Sequence, residues 1–334
     1  MSSGELIHDL VGHTNSVWSI AWSPDGRLVL TGGSDGTALI WDGQTGALLA
    51  RLIGHSSEVS SVSWAPDGKN ALTASWDGSA RIWDATTGRV EHSLAGHSGR
   101  ISVAAWSPDG DRVLTGSFDG TVRVWDAETG IVLQVLEDNE GGVLTAAWSP
   151  DGTKILTGGA DGIARLWNPS SGRVEYTLQG HSDQILSVGW SPDGKHVVTG
   201  GKDTTARVWN ARTGIEESVL TGHTNWVWTT VWAPDGKGIL TDSEDGTARI
   251  WSTNGADQAR AFRGQVGDFA SVAWSPDGTR VLTGGKDGTG GVWSVETGDK
   301  LLQLGGHTLP VDSIAWSPNG KWLLTGSRDG VVQV

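Results

Sequence analysis

The sequence predicts an all-β fold assembled from eight copies of one four-stranded unit. Three observations carry that expectation: tryptophan recurs in two series with a fixed 42-residue spacing, turn signals fall at roughly 8–12-residue intervals, and the segments between turns alternate apolar with small or polar residues. The first series is Trp41, Trp83, Trp125, Trp167, Trp209, Trp251 and Trp293; the second is Trp22, Trp64, Trp106, Trp148, Trp190, Trp232, Trp274 and Trp316. No insertion breaks the register, so residues 1–334 read as one domain with no linker.

Within one unit, the first strand is expected over Val17 to Trp22, followed by the Ser23-Pro24-Asp25-Gly26 turn, where proline presets φ and glycine accepts a positive φ. The second runs from Leu28 to Gly32 and closes on a turn around Asp35-Gly36. Thr37 to Trp41 form the third, and a turn through Thr45-Gly46 leads to the fourth, Ala47 to Leu52. β-branched enrichment and short turn-to-turn distances favour strands over helices. The last copy stops at Val334, inside its third strand, while Glu5 to Leu10 matches a fourth strand. The N-terminal strand is therefore expected to complete the last unit and close a ring of eight. An ending before the final Trp-Asp fits an excised module or an engineered chain.

Composition narrows the function classes. The chain has no cysteine, so neither disulfides nor thiolate chemistry operate, which suits a reducing compartment. No secretion signal opens it, and no apolar run approaches the ~18 residues of a spanning helix; a cytoplasmic protein is the expectation. The net charge of 24 − 38 = −14 argues against nucleic acid and anionic membrane as partners. That charge is mostly turn chemistry. Seven Asp of Pro-Asp-Gly turns, eight of Asp-Gly-type turns and three after strand-ending tryptophans make 18 of the 38 acidic residues.

Gly-His followed by Trp-Asp, as in Gly12-His13 and Trp41-Asp42, resembles the WD-repeat β-propeller family, and the resemblance covers essentially the whole chain. It implies an eight-bladed β-propeller with four antiparallel strands per blade around a central channel, where seven blades are commoner in the family. It also implies a buried His, Ser/Thr, Asp and Trp network within each blade. The matching sets are His13-Thr31-Asp35-Trp41, His55-Thr73-Asp77-Trp83, His97-Thr115-Asp119-Trp125, His181-Thr199-Asp203-Trp209 and His223-Thr241-Asp245-Trp251. Indole only donates, while threonine both accepts and donates, so a relay through imidazole to carboxylate is chemically sound. Asn139 and Gln265 replace the histidine in repeats four and seven, and repeat eight lacks its Trp; these blades are expected to be softer. The strict period makes these histidines and aspartates structural rather than catalytic. His8, His92 and His196 lie off the network without metal-ligand spacing, and neither metal nor cofactor is expected.

Three positions per unit vary freely. Three residues after Gly-His stand Ser16, Glu58, Arg100, Gly142, Gln184, Trp226, Asp268 and Pro310. Five residues after it stand Trp18, Ser60, Ser102, Leu144, Leu186, Trp228, Ala270 and Asp312. Before the turn aspartate stand Ser34, Trp76, Phe118, Ala160, Lys202, Glu244, Lys286 and Arg328. Residues two apart share a strand face, and the His–Asp contact joins the remaining loop, so all three positions are expected on one rim of the channel. Maintenance of the fold does not explain variation on one face; binding does. The expected binding residues are Trp18, Trp76, Arg100, Phe118, Lys202, Trp226, Trp228, Glu244, Lys286 and Arg328, because exposed Trp and Arg dominate interface energetics.

A non-catalytic platform for a protein or peptide partner, monomeric as an isolated domain, is the leading expectation, because WD-type propellers usually act so and uniform bacterial arrays are often appended to signalling proteins. A carbohydrate-binding propeller using Trp faces is the alternative, as is a recently amplified or engineered propeller with no defined ligand. The rim carboxylates Glu58, Glu244, Asp268 and Asp312 lack an accompanying nucleophile or metal set, which makes an enzyme the weakest reading. Asp242 stands where other copies have Gly or Ala, and nothing in the sequence explains it.

Overall fold

The computed structural model describes residues 4–137, 140–253, 260–263 and 269–334. These form eight four-stranded antiparallel sheets and no helix, an eight-bladed β-propeller. In blade one the strands are Val17–Trp22, Leu28–Gly33, Thr37–Asp42 and Leu48–Ile53, each paired with the next. First strands of neighbouring blades lie against one another around the centre. The turns form where the side chains dictate. Ser23 Oγ donates to Asp25 Oδ1 at 2.6 Å while the Arg27 amide donates to the same oxygen at 3.0 Å, and Gly26 sits at φ 69°.

Ring closure follows the expected route with a shorter strand. Asp9–Val11, rather than Glu5 to Leu10, pairs with Val331–Gln333 in the register Asp9↔Gln333, Leu10↔Val332 and Val11↔Val331. The partner strand is only three residues long, so the ladder stops there, and Ile7 N–H then donates to the Val334 carbonyl at 2.8 Å. On the face holding the Pro-Asp-Gly turns, a Cβ built on each turn glycine would stand 3.4–3.9 Å from the proline ring of the preceding blade, from Gly26 on Pro318 to Gly320 on Pro276.

The two tryptophan series meet in the seams between blades. Trp22 and Trp41 share one buried cluster, Trp64 and Trp83 the next, Trp148 and Trp167 another. Second-series rings reach across the seam: Trp64 Nε1 donates to the Ala21 carbonyl at 3.2 Å and Trp190 Nε1 to Ala147 at 3.3 Å. Burying a tryptophan removes roughly 150–250 Å² from water, a gross gain of roughly 4–6 kcal/mol per ring. One neutral hydrogen bond contributes about 1 kcal/mol net. Indole packing therefore holds the seams, and the polar network sets register within each blade.

That network is a directed chain. In blade two, Trp83 Nε1 donates to Thr73 Oγ1 at 2.8 Å, the Thr73 hydroxyl donates to His55 Nε2 at 2.8 Å, and His55 Nδ1 donates to Asp77 at 2.9 Å. His13, His97, His181 and His223 are likewise bonded to Thr31, Thr115, Thr199 and Thr241 and to Asp35, Asp119, Asp203 and Asp245, with Trp41, Trp125, Trp209 and Trp251 donating to the same threonines. Burial lowers the pKa of His13, His55, His97 and His223, and the paired aspartate only partly offsets it. Burial would raise Asp77, but the Ser79 hydroxyl, the Ser56 amide and His55 outweigh it and hold the carboxyl at about 2. The pair is thus neutral imidazole on charged carboxylate.

Asn139 and Gln265 lie outside the described residues. In blade four Asp161 is paired with Arg165, whose Nη1 stands 2.8 Å from Oδ2 with the side chain buried. Trp167 still donates to Thr157 at 3.0 Å. An arginine from the third strand thus neutralises the carboxylate that histidine serves in the complete blades.

Candidate functional site

The variable positions are joined by the backbone. Among the described residues the amide before the turn aspartate donates to the carbonyl three residues after the Gly-His slot: Trp76 to Glu58 at 2.9 Å, Phe118 to Arg100 at 2.9 Å, Lys202 to Gln184 at 2.9 Å, Glu244 to Trp226 at 3.0 Å, Arg328 to Pro310 at 3.0 Å, and likewise Ser34 to Ser16 and Ala160 to Gly142. These carbonyls and amides lie on the rim away from the Pro-Asp-Gly turns.

The third variable position reaches this rim for a reason that strand alternation does not supply. The first strand begins at Val17, so Ser16 precedes it, and the ladder shifts register between Val17 and Ser19. Trp18 is a bulge residue, and Ser60, Ser102, Leu144, Leu186, Trp228, Ala270 and Asp312 occupy the same bulge in the other blades. A bulge re-aims its side chain and releases it from pairing duty, which is why this position varies. Where it is serine it crosses to the next blade: Ser60 Oγ donates to the Ile101 carbonyl at 2.7 Å and Ser102 Oγ to Val143 at 2.8 Å.

Neighbouring blades then assemble the predicted residues into clusters. Trp18, Trp76 and Arg100, one from each of the first three blades, form a ladder. The two rings are 6.2 Å apart, and the Arg100 guanidinium lies 4.4 Å above the Trp76 ring. Phe118 stands beside it, half exposed, its backbone against Gly142. Across the ring, Lys202 Nζ lies 4.3 Å from the Trp226 ring, which meets Trp228 edge-on at 5.6 Å. Glu244 pairs with Lys286 at 3.1 Å. Arg328 pairs with Asp312 at 2.6 Å, a hydrogen bond that raises the arginine pKa further. The ten residues therefore form two aromatic–cation groups and two ion pairs. Trp18, Phe118 and Trp228 keep exposed faces, whereas cations cover Trp76 and Trp226.

Among the described residues no two rim carboxylates converge for acid–base work. Glu58 accepts from the Ser57 hydroxyl, Glu244 and Asp312 are paired as above, and Asp268 lies outside the described residues. Among the described residues no group of three His, Asp or Glu side chains is placed to hold a metal.

One rim residue is strained. Thr204 has φ 70°, where the other turns of this type place glycine, as at Gly78 and Gly246. A β-branched residue in the left-handed region costs about 1–2 kcal/mol. Thr204→Gly is expected to stabilise the protein by about 1 kcal/mol, after the entropy glycine adds to the unfolded chain. An unchanged urea midpoint would show that the turn bears no such strain.

Comparison with known proteins gives the same architecture. A family profile described as "IFT122 first beta-propeller" matches residues 142–334, more than half of the chain, and one described as "WD domain, G-beta repeat" matches residues 4–42, 46–84 and 88–126. The crystal structure of the computationally designed Ika8 protein is similar with a TM-score of 0.87 and 28% identity over 96% of both chains. Among curated proteins, "MST50-interacting protein 11" of Pyricularia oryzae and "Small ribosomal subunit protein RACK1" of Neurospora crassa are each 45% identical over 42 residues, 13% of this chain and of theirs. "Protein Mut11" of Chlamydomonas reinhardtii is 48% identical over 40 residues, 12% of this chain and 11% of its own. These matches span about one blade, a small fraction of each curated relative.

Proposed function

The chain belongs to the WD-repeat β-propeller family, and from that premise we propose that it is a non-catalytic scaffold holding a protein or peptide on the variable rim. Propellers of this family generally serve as protein-interaction scaffolds. The observation that carries the finer reading is the gathering of otherwise unconstrained positions into aromatic–cation clusters on one rim, with Trp18, Phe118 and Trp228 exposed. Such residues, rigid and amphipathic, are the usual anchors of an interface. The partner's chemistry follows: an apolar or aromatic anchor for each exposed ring, framed by polar groups meeting Arg100 and Lys202. A cytoplasmic setting and a monomeric propeller belong to the same proposal, in keeping with the cysteine-free chain.

A glycan ligand is less well supported. Sugar stacking needs an open aromatic face; cations occupy those of Trp76 and Trp226, which leaves the separated rings of Trp18, Phe118 and Trp228 and no continuous stacking platform.

A peptide library and a glycan array, each probed with the protein and with a Trp18→Ala/Trp228→Ala double variant, test the proposal. Peptide binding should weaken at least about thirtyfold in the variant, the effect of losing two interface anchors, while the melting temperature changes little. Undiminished peptide binding, or capture by glycans alone, would overturn it.

A further inference from the structure

Four cations occupy the variable positions, and the fold treats them in two ways. Lys286 and Arg328 stand on blades seven and eight, whose variable positions carry no aromatic residue, and each is met by a carboxylate of the protein, Glu244 at 3.1 Å and Asp312 at 2.6 Å. Arg100 and Lys202 are held instead over indole rings, 4.4 Å from Trp76 and 4.3 Å from Trp226. Among the described residues neither has an ion-pair or hydrogen-bond partner. Glu58 is close enough to feel the Arg100 charge, but its carboxylate accepts from the Ser57 hydroxyl. An indole face attracts a cation without occupying its N–H donors. Arg100 therefore keeps the planar fork that fits a carboxylate, and Lys202 keeps its ammonium donors. Each also adjoins an open ring. The Phe118 amide donates to the Arg100 carbonyl at 2.9 Å, and Trp228 meets Trp226 edge-on at 5.6 Å; Phe118 and Trp228 are exposed. The two cations left uncompensated are thus the two beside an open ring, in a chain whose net charge is −14.

We propose that the partner of this rim is an acidic–aromatic peptide. One carboxylate side chain meets the Arg100 fork with an apolar neighbour on Phe118, and a second meets Lys202 with an apolar neighbour on Trp228. This rests on the scaffold reading above and adds the charge of the occupant. The anion is a carboxylate rather than a phosphate because each cation stands alone. Phosphate, with nearly two negative charges, is recognised by clusters of arginine, whereas one fixed positive charge matches one carboxylate. A basic peptide would set like charges against both uncompensated cations.

Fluorescence-anisotropy titration with four matched peptide libraries tests this. Each peptide holds two X-Phe pairs joined by glycine spacers of varied length, with X as Glu, Gln, Lys or phosphoserine. The Glu library should bind tightest. The Gln library should bind about tenfold more weakly, the effect of two solvent-exposed ion pairs, and the Lys library more weakly still. An Arg100→Gln/Lys202→Gln variant should bind the Glu and Gln libraries equally, with the melting temperature of the parent. If that variant fails to fold, the comparison of Glu with Gln on the parent protein decides alone. Equal binding of Glu and Gln to the parent would overturn the acidic partner and leave the scaffold reading standing. A tighter phosphoserine library would overturn it in favour of a phosphopeptide. No binding of any library at millimolar concentration would overturn it as well, and the Trp18→Ala/Trp228→Ala test then judges the scaffold reading separately.

Discussion

Replacing Asp242 with glycine is expected to raise the melting temperature at pH 7 by roughly 5 °C and to change it little at pH 4. Asp242 occupies the position of Gly32, Gly116, Gly158, Gly200, Gly284, Gly326 and Ala74, at the junction of two blades. At the equivalent place in blade five a Cβ on Gly200 would stand 2.5 Å from Thr230 and 2.9 Å from Val227 of the next blade, so this position is a tight contact between blades. Asp242 is fully buried and neither of its oxygens has a hydrogen-bond partner. Burial pushes its carboxyl up to about 7, with Asp245 adding to the rise; the paired Thr229 opposes it without reaching bonding geometry. The folded state therefore holds a proton that the unfolded chain loses above pH 3.8. Between that value and about pH 7 each unit of rising pH costs about 1.4 kcal/mol, and beyond it the penalty is constant. Melting curves for both proteins at pH 4, 5.5 and 7 isolate this group by difference. A gap that stays the same across the series would mean that Asp242 does not titrate in this range.

The opposite change is expected at Thr73. Thr73→Val keeps the shape of a buried side chain but deprives Trp83 of its acceptor and His55 of its donor. Unsatisfied buried groups cost about 1–3 kcal/mol each, so the variant should lose about 2–4 kcal/mol. The loss should appear as faster hydrogen exchange in strands Asn70–Ser75 and Ser79–Asp84, with rim binding unchanged. Protection equal to the parent would show that the indole packing alone secures the blade. Acid should act on the same network. Burial depresses the imidazole of His55, and of His13, His97 and His223, so the unfolded chain gains protons first. Stability from these groups is present above about pH 6.5 and lost as pH falls, opposite in sign to the Asp242 contribution.

The repeat made much of the fold legible. Strand limits read from one unit hold to within a residue, as for Val17–Trp22, because each is bounded by a turn whose side chains bond their own backbone. The bulge at Trp18 was not legible. A bulge leaves no mark in an alternation of so few residues, and only the register between strands exposes it. Arg165 was also out of reach: arginine occupies the same place in four other blades, and only in blade four does it turn inward to Asp161.

By itself the sequence determined most of what the repeat repeats, though not its bulge: eight blades, four strands in each, the His-Thr-Asp-Trp partners and the rim on which variation gathers. A pattern copied at constant spacing meets the same surroundings every time, so its environment can be read from any one copy. Only the tertiary structure decided what differs from blade to blade. It stacked Arg100 on Trp76, paired Glu244 with Lys286 and sealed Asp242 from water. Each of these depends on a side chain meeting residues of the neighbouring blade, which differ from one blade to the next, and that meeting exists only once the blades have packed together.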